Sequence, residues 1–349
     1  MELKNKVILI TGGTGSFGKK FTEVALRTLS PKAIRIYSRD ELKQFEMQQD
    51  ARFQDSRLRY FIGDVRDEAR LERAMEGVDL VIHAAAMKQV LACEFNPFEA
   101  VKTNVLGAQN VIEAALNLNI PRVMAVSTDK AVNPANLYGA TKLCAEKMFT
   151  AACSYVGTKD VRISCVRYGN VVGSRGSVIP LFLSQRETGK LTITDERMTR
   201  FWVTLEQAVG FVLASVGRMR GGEVFIPKIP SARITDLAEV VAPQAEKVIV
   251  GIRPGEKLHE VLLTEDEARI AREFDDFFVL EPRYPGQSLP HWNHGKSLPS
   301  GYRYASDTNP WQLTREELRC AIGEVEAALP NAGNGGHGLV STAWQIPAA

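Results

Sequence analysis

Cysteine is scarce in this chain, and nothing in the sequence pairs it. The five residues (Cys93, Cys144, Cys153, Cys165 and Cys320) are odd in number, and no two have CxxC spacing. This argues against a disulfide framework and against a cysteine-based metal site, so no metal is expected and a reducing compartment fits. Long apolar runs are also missing. None approaches the roughly 18 residues that a membrane span needs, and no signal-peptide pattern precedes the first strand, so a cytoplasmic protein without membrane attachment is expected. Charge of one sign is lacking too. The formal net charge is +2, no Lys/Arg block dominates, and a nucleic-acid partner is not indicated. There is no internal repeat.

What is present is the balance of a globular enzyme. Hydrophobic residues make up 45% and charged residues 24% of 349 positions, which places the chain among folded rather than disordered sequences. That length accommodates one large α/β domain with a smaller lobe. Short apolar runs at 7–11, 33–37, 58–62, 79–84, 122–126 and 162–168 read as strands. Amphipathic stretches at 19–29, 68–75 and 97–118 read as the helices between them. Strands alternating with helices predict a Rossmann-type, doubly wound parallel sheet covered on both faces. After about residue 170 the pattern turns irregular. Segments 204–216 and 235–240 look helical, and 223–226 extended. The expected organisation is a dinucleotide-binding domain over 1–170, with its sheet completed by later segments, and a substrate-binding lobe over 171–330. Residues 285–310 are rich in Pro, Ser, His and Asn and read as a long surface connection, and 331–349 as a disordered or tag-like tail.

The first strand ends in Gly12-Gly13-Thr14-Gly15-Ser16-Phe17-Gly18. Glycines at 12, 15 and 18 suit a tight turn that lets the backbone approach a pyrophosphate at a helix N-terminus. A P-loop is the rival reading, because Gly13 to Lys19 nearly matches its motif. Lys20 stands where that motif needs a metal-binding hydroxyl. After the second strand come Ser38 and Arg39, with Lys43 one turn on. A hydroxyl and two cations suit a ribose 2′-phosphate and favour NADP over NAD. Asp40 and Glu41 are the counter-indication, since either could serve an NAD ribose. Asp64 and Val65, at the end of the third strand, are expected to flank the adenine.

The stretch 127–142 carries the most chemistry. Tyr138 and Lys142 are four apart, so on a helix they share a face. A nearby cation favours phenolate, which makes Tyr138 a candidate base. Just upstream, Thr128, Asp129 and Lys130 set a hydroxyl, a carboxylate and an amine side by side. Hydride transfer alone does not need that extra pair, which points to a second proton-transfer event. Lys88 could contact cofactor or substrate, or be an ordinary surface lysine. Asn104 could orient backbone at the site, or be a surface asparagine. His83, within a strand, reads as a satisfied core histidine. The segment Asp195–Trp202 mixes charges with bulky apolar groups and reads as a pocket wall, with Arg200 facing a phosphate. The turn Arg253-Pro254-Gly255-Glu256 could bring a second arginine to the same diphosphate.

Together these motifs resemble the extended short-chain dehydrogenase/reductase superfamily. Tyr37–Glu41, Ser127–Ala131, Arg167–Val171, Met198–Trp202 and Ile252–Lys257 narrow the resemblance to the inverting UDP-N-acetylglucosamine 4,6-dehydratases, enzymes of pseudaminic acid synthesis for flagellin glycosylation. It spans residues 4 to about 325. It implies a homo-oligomer acting on UDP-N-acetylglucosamine, with NADP as a hydride carrier that is regenerated. Ala84, Ala85, Lys88, Asn104 and Val171 would join the cofactor site. Lys88, Asn170, Val178, Thr192, Arg200, Arg253 and Glu256 would hold the substrate. Tyr138 would take the 4-OH proton, with Lys142 lowering its pKa and Thr128 binding the sugar. Lys130 would be the base at C5 and Asp129 the acid for the departing 6-OH. Many sugar-nucleotide dehydratases carry Glu at the position of Lys130, and a lysine base must be partly neutral. A UDP-sugar 4-epimerase would need Tyr138 and Lys142 but not the Asp129–Lys130 pair. A retaining 4,6-dehydratase of the same superfamily is a further alternative. A non-catalytic NADP-binding regulator would need neither Tyr138 nor Lys142.

Overall fold

The computed structural model describes residues 3–172, 178–281 and 292–328. The tail expected over 331–349 lies outside them, as does 282–291 of the expected surface connection.

The N-terminal half alternates strand and helix: β1 Val7–Thr11, α1 Ser16–Thr28, β2 Ala33–Ser38, α2 Glu41–Gln49, β3 Leu58–Ile62, α3 Glu68–Met75, β4 Leu80–His83, α4 Val90–Phe95, α5 Pro97–Val101, α6 Gly107–Asn117, β5 Arg122–Thr128, α7 Leu137–Ala151 and β6 Arg162–Tyr168. There follow β7 Asn170–Val171, α8 Val178–Arg186, β8 Lys190–Ile193, β9 Thr199–Val203, α9 Leu205–Arg218, β10 Val224–Pro227, β11 Ser231–Arg233, α10 Ile234–Val241 and β12 Glu246–Ile249. The chain continues with β13 Val261–Leu263, α11 Glu265–Ala268, β14 Ala271–Glu273, β15 Phe277–Leu280, β16 Lys296–Ser297, β17 Tyr304–Ala305 and α12 Arg315–Ala328.

The main sheet has ten strands in the order β16-β14-β15-β10-β6-β5-β4-β1-β2-β3. From β3 through β10 every neighbouring pair is parallel. Such strands are covered on both faces and so read as continuous apolar runs. In β1, Ile8, Leu9 and Ile10 are all fully buried. The chain leaves β1 toward β2 on one side and later returns to pair β4 on the other. This reversal opens a crevice beyond the carboxyl ends of the strands, where ligands of such sheets bind.

Two predicted elements change form. The stretch 97–118 is not one helix: α5 and α6 are joined by a wider, π-type turn at Lys102–Leu106. A π-type turn accommodates an extra residue within a helix. The reason is packing, because α6 starts at Gly107, where a Cβ would lie 2.7 Å from Val65. The connection expected over 285–310 is not merely surface in its described part. It contributes β16 and β17 and buries Trp292 and Tyr304 in the main core. Indole and phenol reach polar partners there (Trp292 Nε1 to Glu223 at 3.3 Å, the Ile229 amide to Tyr304 Oη at 2.8 Å), which makes the burial affordable in a polar-rich segment.

A second apolar core lies between α8, β8, β9, α10 and α12, centred on Phe182, Leu191, Trp202, Leu237 and Leu318. Residues after 170 therefore feed both cores, since β10, β14, β15 and β16 complete the main sheet.

Candidate active site

The Gly-rich turn is shaped by close approach. Gly12 has φ +67° and its Cβ would sit 2.9 Å from the Ala85 amide; a Cβ on Gly18 would meet Gly13 backbone at 2.5 Å. Only glycine fits positions with such conformation and clearance. Gly15 caps α1 without a side-chain bond, and the first turn of α1 holds no acid. The N-terminal amides and the positive end of the helix dipole thus face a cavity of about 710 Å³.

That cavity is lined by Gly12, Thr14, Gly15, Ser16, Phe17, Gly18, Ser38, Arg39, Lys43, Asp64, Val65, Ala84, Ala85, Lys88, Tyr138, Lys142 and Val171, together with Thr128 and Lys130. Of the residues expected around a cofactor, Asn104 alone does not line it. Its Oδ1 accepts from the Met87 amide at 2.8 Å and its Nδ2 donates to Met87 O and Thr141 Oγ1. Asn104 thus braces the 84–88 backbone from behind, because the π-type turn buries it there.

At the end of β2, Asp40 is occupied as the N-cap of α2: it accepts from the Lys43 amide at 3.0 Å and pairs with Lys43 Nζ at 2.7 Å. Arg39 has no ion pair among the described residues. Ser38 is buried and accepts from Gln44. His83 is the satisfied core histidine expected: its Nδ1 contacts Thr11 Oγ1 at 2.9 Å, and burial pushes its pKa down to about 3.

Asn136 caps α7 through the Gly139 amide and so begins the helix that carries Tyr138 and Lys142. Burial pushes the Tyr138 phenol up to about 12, and Lys130 is the main opposing cation. The expectation that Lys142 lowers Tyr138 is not met in this arrangement. Lys142 Nζ donates instead to Val126 O at 2.8 Å. Its own charge is disfavoured by burial, so its ammonium is drawn to the carbonyl at the end of β5.

Lys130 Nζ donates to Asp129 Oδ1 at 2.8 Å and to Glu260 Oε1 at 3.4 Å. Burial acts to lower Lys130, but the two carboxylates outweigh it and hold the ammonium above its ordinary range. Asp129 is fully buried, lies beneath the cavity rather than on its wall, and is pushed up chiefly by that burial. Burial would also raise Glu260, yet Lys130, Arg200 and Lys257 hold its carboxyl below the usual range. Thr128 Oγ1 donates to Asp129 Oδ1 at 2.9 Å.

A second cavity of about 250 Å³ adjoins the first and shares Asn170 and Val171 with it. Val178, Thr192, Arg200, Arg253 and Glu256, which the resemblance assigned to the substrate, line it together, with Phe201 and Trp202 in its wall. Lys88 lines only the larger cavity. Arg200 is already engaged with carbonyls of Thr199, Lys257 and Leu258. Arg253 is exposed and lies 3.8 Å from Glu256. Glu260 went unread in the sequence, although it stands only three residues beyond the motif that ends at Lys257. Among the described residues no group of three or more His, Cys, Asp or Glu could hold a metal, and no helix is long and apolar enough to cross a membrane.

A doubly wound sheet, a glycine cradle at its switch point and a Tyr-x-x-x-Lys helix define a dinucleotide-dependent enzyme of the extended short-chain dehydrogenase/reductase type. The family model described as polysaccharide biosynthesis protein matches residues 8–282, and the chain belongs to that family. It is 51% identical over 330 residues (92% of this chain, 98% of the relative) to an inverting UDP-N-acetylglucosamine 4,6-dehydratase of Campylobacter jejuni. It is 43% identical over 78% of its length, and 82% of the relative, to a UDP-glucose 4-epimerase of Rickettsia felis. Among solved structures, Pen from Bacillus thuringiensis superposes with a TM-score of 0.84 at 41% identity, covering 93% of this chain and all of that one. DesIV, a dTDP-glucose 4,6-dehydratase from Streptomyces venezuelae solved with NAD, gives 0.63 at 25% identity over 72% of this chain and 86% of that one.

Proposed function

We propose that the protein is a UDP-N-acetylglucosamine 4,6-dehydratase that inverts C5, and that its product enters pseudaminic acid synthesis for flagellin glycosylation in the cytoplasm. The observation that carries the reading is the acid–amine pair Asp129–Lys130 beside Tyr138, in a chain 51% identical to a relative of that name.

The larger cavity fits a dinucleotide: Gly12, Gly15 and Gly18 would admit its pyrophosphate, and Ser38, Arg39 and Lys43 would take a 2′-phosphate, which favours NADP. When bound, it supplies the hydride acceptor and donor. Asp40 is the acid an NAD ribose would need, and its use as a helix cap supports the same choice. Asn170, Thr192, Arg200, Arg253 and Glu256 would hold the nucleotide-sugar in the adjoining cavity.

Tyr138 takes the 4-OH proton, and its raised pKa means that it needs Lys130 and Thr128 close by to ionise. Once C4 is a ketone, the C5 proton is acidic. Lys130 is an ammonium at rest. One proton moving from Nζ to Asp129 across 2.8 Å makes an amine and a carboxylic acid together. The amine takes the C5 proton, and the acid protonates the 6-OH, which leaves as water. The pair ends as ammonium and carboxylate, its starting form. The C5=C6 double bond left behind becomes the 6-deoxy product by a hydride at C6, which the reduced cofactor would supply, and a solvent proton at C5 from the opposite face. A homo-oligomer is supported by the exposed Phe95 and Phe98, and sedimentation measures it.

A 4-epimerase is the second reading, on the strength of the Rickettsia relative. Product NMR from UDP-N-acetylglucosamine in D₂O decides between them. A 6-deoxy-4-keto product with deuterium at C5 and inverted C5 configuration is expected. A product that keeps its 6-OH rejects dehydration, and a retained C5 configuration rejects inversion.

A further inference from the structure

Glu260 sits where the proposed chemistry is most sensitive to charge. It is 3% exposed and lines neither cavity, so it cannot meet a substrate directly. Its Oε1 nevertheless approaches Lys130 Nζ at 3.4 Å and Arg200 Nε at 3.7 Å. Its backbone is fixed from the opposite side, where the Glu260 amide donates to Ser306 Oγ, which in turn contacts Thr199 Oγ1 at 2.7 Å. Glu260 Oε2 and Asp129 Oδ2 are both buried without a hydrogen-bond partner. Most buried polar atoms have a partner, as all four carboxylate oxygens of Glu146 and Glu267 do. Here two carboxylates lean on a single ammonium.

Resting on the dehydratase reading above, we propose that Glu260 is a positioning residue for the elimination step: it holds Lys130 against Asp129 and sets the pH range over which that pair carries one proton. The argument is electrostatic. Elimination needs the Asp129–Lys130 pair to hold a single proton. With two protons the amine is lost as a base; with none the carboxyl is lost as an acid. Such a pair gives a bell with two macroscopic limbs. The negative charge of Glu260 makes both protons harder to remove, so it moves both limbs to higher pH. Among the described residues, the other charged or titratable groups facing the pair are Tyr138, Lys88, Arg200 and Lys257, and none of these is a carboxylate.

The test uses the full chain loaded with NADP, turning over UDP-N-acetylglucosamine, with kcat/KM measured against pH. Glu260→Gln should slide both limbs to lower pH by about one unit or more, with the bell lowered in height. Glu260→Asp, which keeps the charge, should leave the limbs near their parental positions while slowing elimination. A Gln variant whose bell drops without moving, or moves to higher pH, overturns the proposal. Should the Gln variant not fold, the Asp variant decides: limbs displaced although the charge is kept also overturn it. The underlying reading fails separately, if the unmodified protein makes no 6-deoxy product. If that product forms and the Gln bell stays in place, only the role of Glu260 falls.

Discussion

Two buried charge clusters in this molecule use the same kinds of residue to opposite ends. Arg167 is completely buried against Glu146 and Glu267, at 2.5 and 2.8 Å. Every oxygen of that cluster is used: Glu146 also accepts from Ser127, Glu267 from the Thr264 amide, and Arg167 reaches Leu262 O. In the Asp129–Lys130–Glu260 cluster the two carboxylates are buried while Lys130 reaches the cavity wall, and one oxygen of each carboxylate is left without a partner. A filled network fixes geometry. An underfilled one keeps protons shared, which is what acid–base chemistry requires and what stability alone would not select.

The comparison breaks most visibly at its cations. Arg167→Met should lose about 3–5 kcal/mol of stability, because two carboxylates are left buried and unpaired. Urea unfolding measures it, and a loss within 1 kcal/mol would show that the filled cluster is not structural. Lys130→Ala should cost less stability, since Asp129 can take up a proton, but should stall turnover after C4 oxidation. Near-ultraviolet absorbance of reduced cofactor should then persist, and solvent deuterium should not enter C5. Asp129→Asn should stall as well and also lose C5 exchange, because the amide cannot take the proton from Lys130 Nζ. C5 exchange at the parental rate in Asp129→Asn would show that Lys130 sheds its proton without Asp129.

Tyr138→Phe should keep cofactor affinity and lose turnover by about 10²–10⁴-fold; turnover within a few-fold of the parent would remove Tyr138 from the chemistry. Arg39→Ala should weaken NADP by about 1.5–3 kcal/mol and NAD hardly at all, as read by calorimetry. Equal weakening would dismiss the 2′-phosphate contact. A further effect concerns pH. His83 has its folded pKa depressed to about 3 from 6.5, so its contribution to stability is present above about 6.5 and is lost as pH falls toward 3. The urea midpoint should decline across that window, and His83→Gln should flatten the decline. A parallel decline in the variant would assign it to other groups.

Much of this was legible in the sequence, and the reason differs by element. The strands at 7–11 and 162–168 appear with the limits read from their apolar runs, because a strand buried on both faces writes its own boundary. The glycine turn was legible because its constraint is local. The break at Lys102–Leu106 was not, since it depends on how closely Gly107 meets Val65 from a distant loop. Lys142 was given the wrong neighbour because i,i+4 spacing fixes a face and not the partner that β5 offers across it. Glu260 escaped notice for the same kind of reason: its importance comes from Lys130, 130 positions earlier in the chain.

The two-residue strand β7 has a consequence for how ligands are taken up. Asn170 and Val171 form part of the wall of both cavities, while among the described residues β7 itself pairs only with β9, at Trp202 and Val203. A molecule that orders this strand from one side prepares the wall seen by a molecule on the other. Binding free energies then contain a shared quantity that must be the same in either direction around the cycle. Nucleotide-sugar should tighten dinucleotide by the factor with which dinucleotide tightens nucleotide-sugar. In the proposed reaction, where the hydride returns to the molecule that gave it, that reciprocity would hold either guest in place while the other remains.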